Sequence, residues 1–203
     1  MRLPFIPYFR RSQYNGWITI TGRGEVWVGG VKQTSERYDD LWRDAFARSE
    51  DMLATPVQNV LMLGLAGGGA LQAVEDAYPG TPVTVIEIDP VMVDIAKELH
   101  KDTDKTYRFP TVLVGDAKEV LEKMQSTYDV ILIDIFNGIK PSPLVDDDYF
   151  WSLVSARLTP GGVAVLNVAI DSTRTYVAQN HFKNTRAWRY DANYFCALSN
   201  TGQ

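Results

Sequence analysis

Cysteine and histidine are nearly missing from this sequence: Cys196 is the only cysteine, and His100 and His181 are the only histidines, in 203 residues. One thiol can neither close an internal disulfide nor build a cysteine-rich metal site, so a reducing compartment, the cytoplasm, is expected. The two histidines lie far apart on stretches that read as helix surfaces, and they indicate no metal centre. Positive charge is short as well. Lys and Arg number 20 against 25 Asp and Glu, a formal net charge of -5. Nucleic-acid binders rely on clustered cations that displace counterions, so nucleic acid is set aside as the main partner. No apolar run approaches the roughly 20 residues that span a bilayer, which argues against a membrane partner. The opening stretch MRLPFIPYFRRS is broken by Pro4 and Pro7 and does not read as a signal peptide. Its interleaved Arg2, Arg10, Arg11 and Phe5, Tyr8, Phe9 fit either a loosely ordered terminus or an arm that docks on a partner subunit.

What is present is a chain of single-domain size with 45% apolar residues, enough to bury a core. From Gly16 to Thr34 the pattern alternates as in strands, WITIT and EVWVG, around the turn residues Gly22, Arg23 and Gly24, which predicts a small β-hairpin. From Tyr38 to about Leu53 the spacing of Leu41 with Ala45 and Trp42 with Phe46 predicts a linking helix. Residues 1–53 thus read as arm, hairpin and helix, ahead of a nucleotide-binding α/β domain over 54–203.

After Pro56, apolar strands and helices alternate: NVLMLG, a helix Gly68 to Tyr78, PVTVIEI, a helix Pro90 to His100, TVLVG, a helix Ala117 to Met124, and YDVILID. A helix Asp147 to Leu158, the strand GVAVLNV and a terminal pair of strands in AWRYDANYFCALS follow. Near-continuous apolar strands separated by helices predict a doubly wound, Rossmann-like parallel sheet buried on both faces, with the last two strands antiparallel at its edge.

In such a sheet the ligand sits at the carboxyl ends of the strands, and four of those ends are chemically suggestive. GLAGGG, with Gly64, Ala66, Gly67 and Gly68, lets backbone approach a ligand and leaves helix amides free, although it also fits a dinucleotide fingerprint. Glu87, about 20 residues further on, stands where an acidic side chain accepts ribose hydroxyls. Asp89, before Pro90, reads as a helix N-cap. Asp116 in GDAKE matches a capping box with Glu119 and also suits an adenine amino group. Asp134 ends YDVILID, and Gly138, Pro141 and Pro143 postpone any helix it would cap, which makes it the catalytic candidate. A carboxylate there can anchor an ammonium and take its proton while the amine attacks an adenosyl sulfonium. The run Asp146 to Asp148 either attracts a polycation or favours the positive end of a helix.

Together these residues resemble the spermidine synthase (polyamine aminopropyltransferase) family, a branch of the class I methyltransferase fold, over roughly Gly30 to Val168. The resemblance rests on Gly30, Gln33 and Glu36 in GVKQTSE, the glycine loop, the EID at the second strand, the GDA at the third and the Asp ending the fourth. It implies that Gln33, Glu87 and Asp116, with the flanking Ala117 and the glycine loop, hold the thioadenosine part of a donor, either S-adenosylmethionine or its decarboxylated form. It also implies that Asp134 serves a small-molecule amine, and that the chain forms a homodimer. Departures accompany it. Gly67 stands where the family carries a loop Asp, Asn137 where it carries a second acidic residue, and Trp42 and Arg43 where it carries Tyr and His before the first sheet strand, which makes Asn137 and Trp42 candidate substrate contacts. The family's tyrosine-bearing loop between the last two strands is not found. A loop carboxylate suits the ammonium end of a decarboxylated donor, so Gly67 leans toward the intact donor. Aminopropyl transfer, methyl transfer and a degenerate nucleotide-binding protein are the three readings carried forward, with an NAD-dependent oxidoreductase as an outsider.

Overall fold

The computed structural model describes residues 6–34, 36–102, 107–138 and 140–200; Arg2 and Phe5 of the arm lie outside them. Four short strands open the chain: β1 (Tyr8–Ser12), β2 (Gly16–Ile20), β3 (Val26–Val28) and β4 (Val31–Lys32). They pair antiparallel in sequence order, so the expected hairpin is the middle of a four-stranded sheet. Of the stretch read as an arm or loose terminus, Tyr8–Ser12 form its first strand, paired along their length with β2 and tied by Arg10 to Glu98 at 2.6 Å.

Helix α1 (Glu36–Ser49) follows, and then β5 (Val60–Leu63), α2 (Leu71–Ala77), β6 (Val83–Glu87), α3 (Pro90–Asp102), β7 (Thr111–Val114), α4 (Ala117–Lys123) and β8 (Tyr128–Ile133) alternate. A two-strand flap, β9 (Phe136–Asn137) and β10 (Lys140–Pro141), precedes α5 (Asp148–Arg157), β11 (Leu158–Asn167), the short α6 (Tyr176–Gln179), β12 (Asn184–Tyr190) and β13 (Asn193–Ser199). The main sheet runs β12-β13-β11-β8-β5-β6-β7, parallel from β11 to β7 and antiparallel at β12 and β13. The chain therefore reverses its direction of travel between β5 and β8, which opens a crevice at their carboxyl ends.

Period-2 geometry explains why those strands read as unbroken apolar runs. Val60 and Met62 face one core with Trp42, Phe46 and Val74, while Leu61 and Leu63 face the other with Phe150 and Trp151. Helix α3 is gripped twice: Val93 and Ala96 pack on the main sheet, and Met92 and Ile95 pack on Ile18, Ile20, Val26 and Val28 of the small sheet. Burying each of the larger side chains contributes roughly 1.5–3 kcal/mol. Together they seat the N-terminal sheet over the strand ends.

Candidate functional site

A cavity of about 640 Å³ opens at the carboxyl ends of β5, β6, β7 and β8, roofed by the N-terminal sheet and the β9–β10 flap. The predicted residues Gln33, Gly64, Ala66, Glu87, Asp116, Ala117, Asp134 and Asn137 all line it. Gly67, Gly68 and Trp42 do not.

The glycine loop is shaped by tight backbone approach. Gly64 has φ +89, and a Cβ there would overlap the carbonyl oxygen of Asp134, so only glycine lets β5 and β8 converge at the switch point. Ala66 holds φ +43, an unusual conformation for a residue with a side chain, and borders the cavity. Gly67, at φ +76, looks outward: a Cβ there would meet Val26 Cγ2 at 2.9 Å and Thr34 Cγ2 at 3.3 Å. Gly68 faces the Tyr107 hydroxyl and Leu71. A side chain at Gly67 would run into the small sheet rather than the cavity, so the glycine there does not distinguish the two donor forms.

Glu87 is 7% exposed, and both its oxygens are used: Oε2 accepts from Leu65 N at 2.7 Å and Oε1 from Asp89 N at 2.8 Å. Burial raises its pKa, while those backbone donors pull the other way. It braces the glycine loop in addition to bordering the cavity. Asp116 is the N-cap of α4; its Oδ1 accepts from Lys118 N at 2.9 Å and Glu119 N at 3.3 Å. Asp89 caps α3 through Val91 N at 2.9 Å, and it does more. Its Oδ2 accepts from Ser12 Oγ at 2.5 Å and Asn15 Nδ2 at 2.7 Å, which pins the β1–β2 turn whose Tyr14 and Asn15 line the cavity.

Asp134 sits at the β8 end, partly accessible because it faces the cavity. Surrounding protein pushes its pKa up to about 6, and hydrogen bonding from Asn167 and then Trp42 offsets part of that rise. Asn167 Nδ2 donates to Asp134 Oδ1 at 3.0 Å. Trp42 is fully buried against Phe195, ring centroids 5.2 Å apart, behind Asp134 and outside the cavity, so it is not a wall of the substrate space. Its Nε1 meets no acceptor in full hydrogen-bonding geometry, so its pull on Asp134 is a weak one from longer range.

The acidic run resolves into local partners. Asp147 caps α5 and pairs with Lys118 Nζ at 2.6 Å, Asp146 pairs with Arg174 at 2.8 Å, and Asp148 meets His181 at 2.9 Å. His100, half-buried, packs its ring against Tyr107 and Phe109 rather than standing on a free helix surface. Tyr14, Asn15, Asn167 and Asn193 line the cavity without having been singled out from the sequence. Asn167 was open to the same strand-end rule, as the polar close of the apolar strand GVAVLNV.

Spermidine synthase from Coffea arabica is 29% identical over 144 residues, covering 69% of this chain and 46% of that protein. The chain thus spans about half the length of the curated relatives it matches. A crystal structure of spermidine synthase in complex with the transition-state analogue AdoDATO superposes with TM-score 0.74 at 18% identity, covering 96% of this chain and 73% of that one. Human methyltransferase-like protein 13 in complex with SAH superposes with TM-score 0.63 at 22% identity, covering 81% and 82%. Both likenesses are of fold: a Rossmann-like sheet of the methyltransferase type with an antiparallel strand pair at one edge. The spermine/spermidine synthase domain model matches residues 45–200, and the chain belongs to that family.

Proposed function

We propose that the chain transfers an aminopropyl group from decarboxylated S-adenosylmethionine to a small amine. The observation that carries this reading is Asp134, a carboxylate at the floor of the cavity that faces no cation among the described residues and is held by Asn167. Glu87 retains lone pairs for ribose hydroxyls, and Asp116, whose capping bonds fall on Oδ1, borders the adenine end with Ala117. Gln33 and Ala66 complete the wall of the donor half.

Asp134 does two things in this scheme. It anchors the acceptor's ammonium and removes one proton, which frees the lone pair for in-line attack on the carbon next to the sulfonium. An alkyl ammonium has a pKa near 10.4 in water, so the transfer to a carboxylate is uphill. The raised pKa of Asp134 narrows that gap, and the neighbouring sulfonium charge lowers the amine's pKa further.

Incubation with decarboxylated S-adenosylmethionine and a panel of small amines, read by mass spectrometry, tests the proposal. A product heavier by one aminopropyl group is expected. A second reading, methyl transfer from S-adenosylmethionine, is favoured by the single uncompensated carboxylate on the acceptor side, because the aminopropyl donor brings a second cation with it. A methyl increment in the same experiment would select it, and donor binding without any product would point to a binding protein.

Two further expectations accompany the proposal. Cys196 is a buried free thiol whose pKa burial pushes up to about 11, in keeping with a reducing cytoplasm. No described helix is long and apolar enough to cross a membrane. The outer face of the small sheet carries Phe9 and Trp17, 60% and 65% exposed, where a second copy of the chain would pack. Sedimentation of the protein with Trp17→Ser would report a loss of dimer.

A further inference from the structure

Two stretches of chain bring cavity lining to Asp134. One follows it directly: Ile135 leads into the β9–β10 flap, whose Phe136 and Asn137 line the cavity, and Ser142 and Leu144 continue the lining beyond the flap. The other follows β11, with Asn167 and Ile170. Each strand of the flap is two residues long, and an isolated strand pair of that size does not hold itself together in water. Something outside the flap must fix its foot.

Arg174 does so from the β11 side. It rides on the short 3-10 turn Ser172–Thr175, which Asp171 caps by accepting from Thr173 N at 3.1 Å and which the buried Thr175 seats in the protein. Its Nη2 donates to Ser142 O at 3.0 Å and pairs with Asp146 Oδ2 at 2.8 Å, and such a nitrogen carries two N–H groups, enough for both. Ser142 and Asp146 flank a second 3-10 turn, Pro143–Asp146, so one guanidinium brackets the segment into which the flap returns. Ser142 N in turn donates to Ile135 O at 2.9 Å and closes the neck of the flap. Asp147, the next residue along, is held independently by Lys118 Nζ at 2.6 Å.

This clamp costs more than a surface ion pair requires. The Arg174 side chain is 24% exposed, and its Nε–H is buried with no acceptor, a donor taken out of water with no replacement. An ion pair with Asp146, 49% exposed, could be made by a guanidinium that stays in solvent. What burial adds is the inner bond to Ser142 O, at the wall of the cavity.

We infer that Arg174 is a positioning residue for the acceptor, holding the flap so that Phe136 and Asn137 stand beside Asp134; this rests on the aminopropyl-transfer reading above. The adenine end, bordered by Asp116, Ala117 and the Lys118-anchored Asp147, does not depend on it.

The test uses decarboxylated S-adenosylmethionine with putrescine and two variants. Arg174→Ala is expected to raise the putrescine KM by about tenfold, with kcat and donor Kd within about threefold of the parent. Asp146→Ala removes the outer ion pair and leaves the Ser142 bond, so its KM is expected to rise by less than about threefold. Native-state hydrogen exchange at the Ser142 amide and in the flap strands is expected to quicken by about tenfold in Arg174→Ala, with α5 unchanged. Equal losses in both variants would reduce Arg174 to a surface ion pair. A faster flap with an unchanged KM would remove the acceptor role, and kcat and donor affinity falling in step with KM would mean a general loosening instead. No aminopropyl product from the parent overturns the transfer reading and the acceptor role with it, whereas unchanged exchange in an enzyme that turns over overturns the clamp alone.

Discussion

Asn167 is locked between two partners: its Nδ2 donates to Asp134 Oδ1 at 3.0 Å while its own Oδ1 accepts from Ala169 N at 3.0 Å. The backbone bond fixes which way the carboxamide faces, so an N–H is always turned toward the carboxylate. Ala169 itself holds φ +51 and accepts from Tyr194 N at 2.6 Å, which ties this small network to the β13 edge. Asp134 is thereby oriented from behind, and in the proposed reaction its other oxygen would meet the acceptor nitrogen.

Loss of that donor should show in the pH profile. A base works when ionised, so kcat/KM is expected to rise with pH through a limb near the Asp134 pKa of about 6. Asn167→Ala removes the hydrogen bond that lowers this pKa, so the limb moves to higher pH and activity at neutral pH falls by about tenfold. A limb that stays in place while activity drops would assign Asn167 a purely structural part.

Asp134→Asn should separate chemistry from folding. Transfer is expected to fall by about 10²–10⁴-fold, with donor affinity nearly intact. Stability should move the opposite way. The folded-state pKa lies above the usual 3.8, so the group's contribution to stability is fully present below that value and is lost as pH rises through about 6. At neutral pH the ionised carboxylate therefore costs up to roughly 3 kcal/mol. The Asn variant should melt higher than the parent at neutral pH, and the gap should close as the pH is taken below the carboxylate range; thermal unfolding at several pH values reads this directly.

Asp89 offers a test away from the reacting atoms. It is fully buried and lines no part of the cavity, yet it holds Ser12, Asn15 and the first turn of α3. Asp89→Ala leaves those donors without their acceptor, at a cost of roughly 1–3 kcal/mol. The freed turn carries Tyr14 and Asn15, so donor Kd by calorimetry should rise by about tenfold while kcat at saturating donor stays close to the parent value. An unchanged Kd in a folded variant would reduce Asp89 to the helix cap that the sequence showed.

Much of this site was legible because strand ends are easy to find and their direction is set by topology. Glu87, Asp116 and Asp134 each close an apolar run, and a parallel sheet brings such ends to one edge. Trp42 and Gly67 were assigned to the ligand because family position says where a residue lies along the chain and not which way it faces. In α1 the heptad-like spacing of Trp42 with Phe46 turns the indole into the core, and in the loop the small sheet closes over Gly67. That sheet was itself under-read: β1 pairs through backbone bonds that a stretch rich in Arg and Pro does not announce. The partnership of Asp89 with Ser12 spans 77 residues of chain, and no local pattern encodes it.

Gly67 provides the sharpest check on the corrected geometry. Restoring an acidic residue with Gly67→Asp would, on family position alone, improve the site for a decarboxylated donor. The structure requires otherwise. The backbone stands at φ +76, and the new Cβ would press on Val26 Cγ2 at 2.9 Å, so the substitution strains the loop and pushes the small sheet from its seat. A loss of stability of roughly 1–3 kcal/mol is expected, shared by Gly67→Ala, because the Cβ and the backbone conformation cause it and the charge does not. Calorimetry should then find no gain in affinity for decarboxylated S-adenosylmethionine over the intact donor. Tighter, selective binding in a variant as stable as the parent would show that the loop opens toward the cavity and return Gly67 to the donor site.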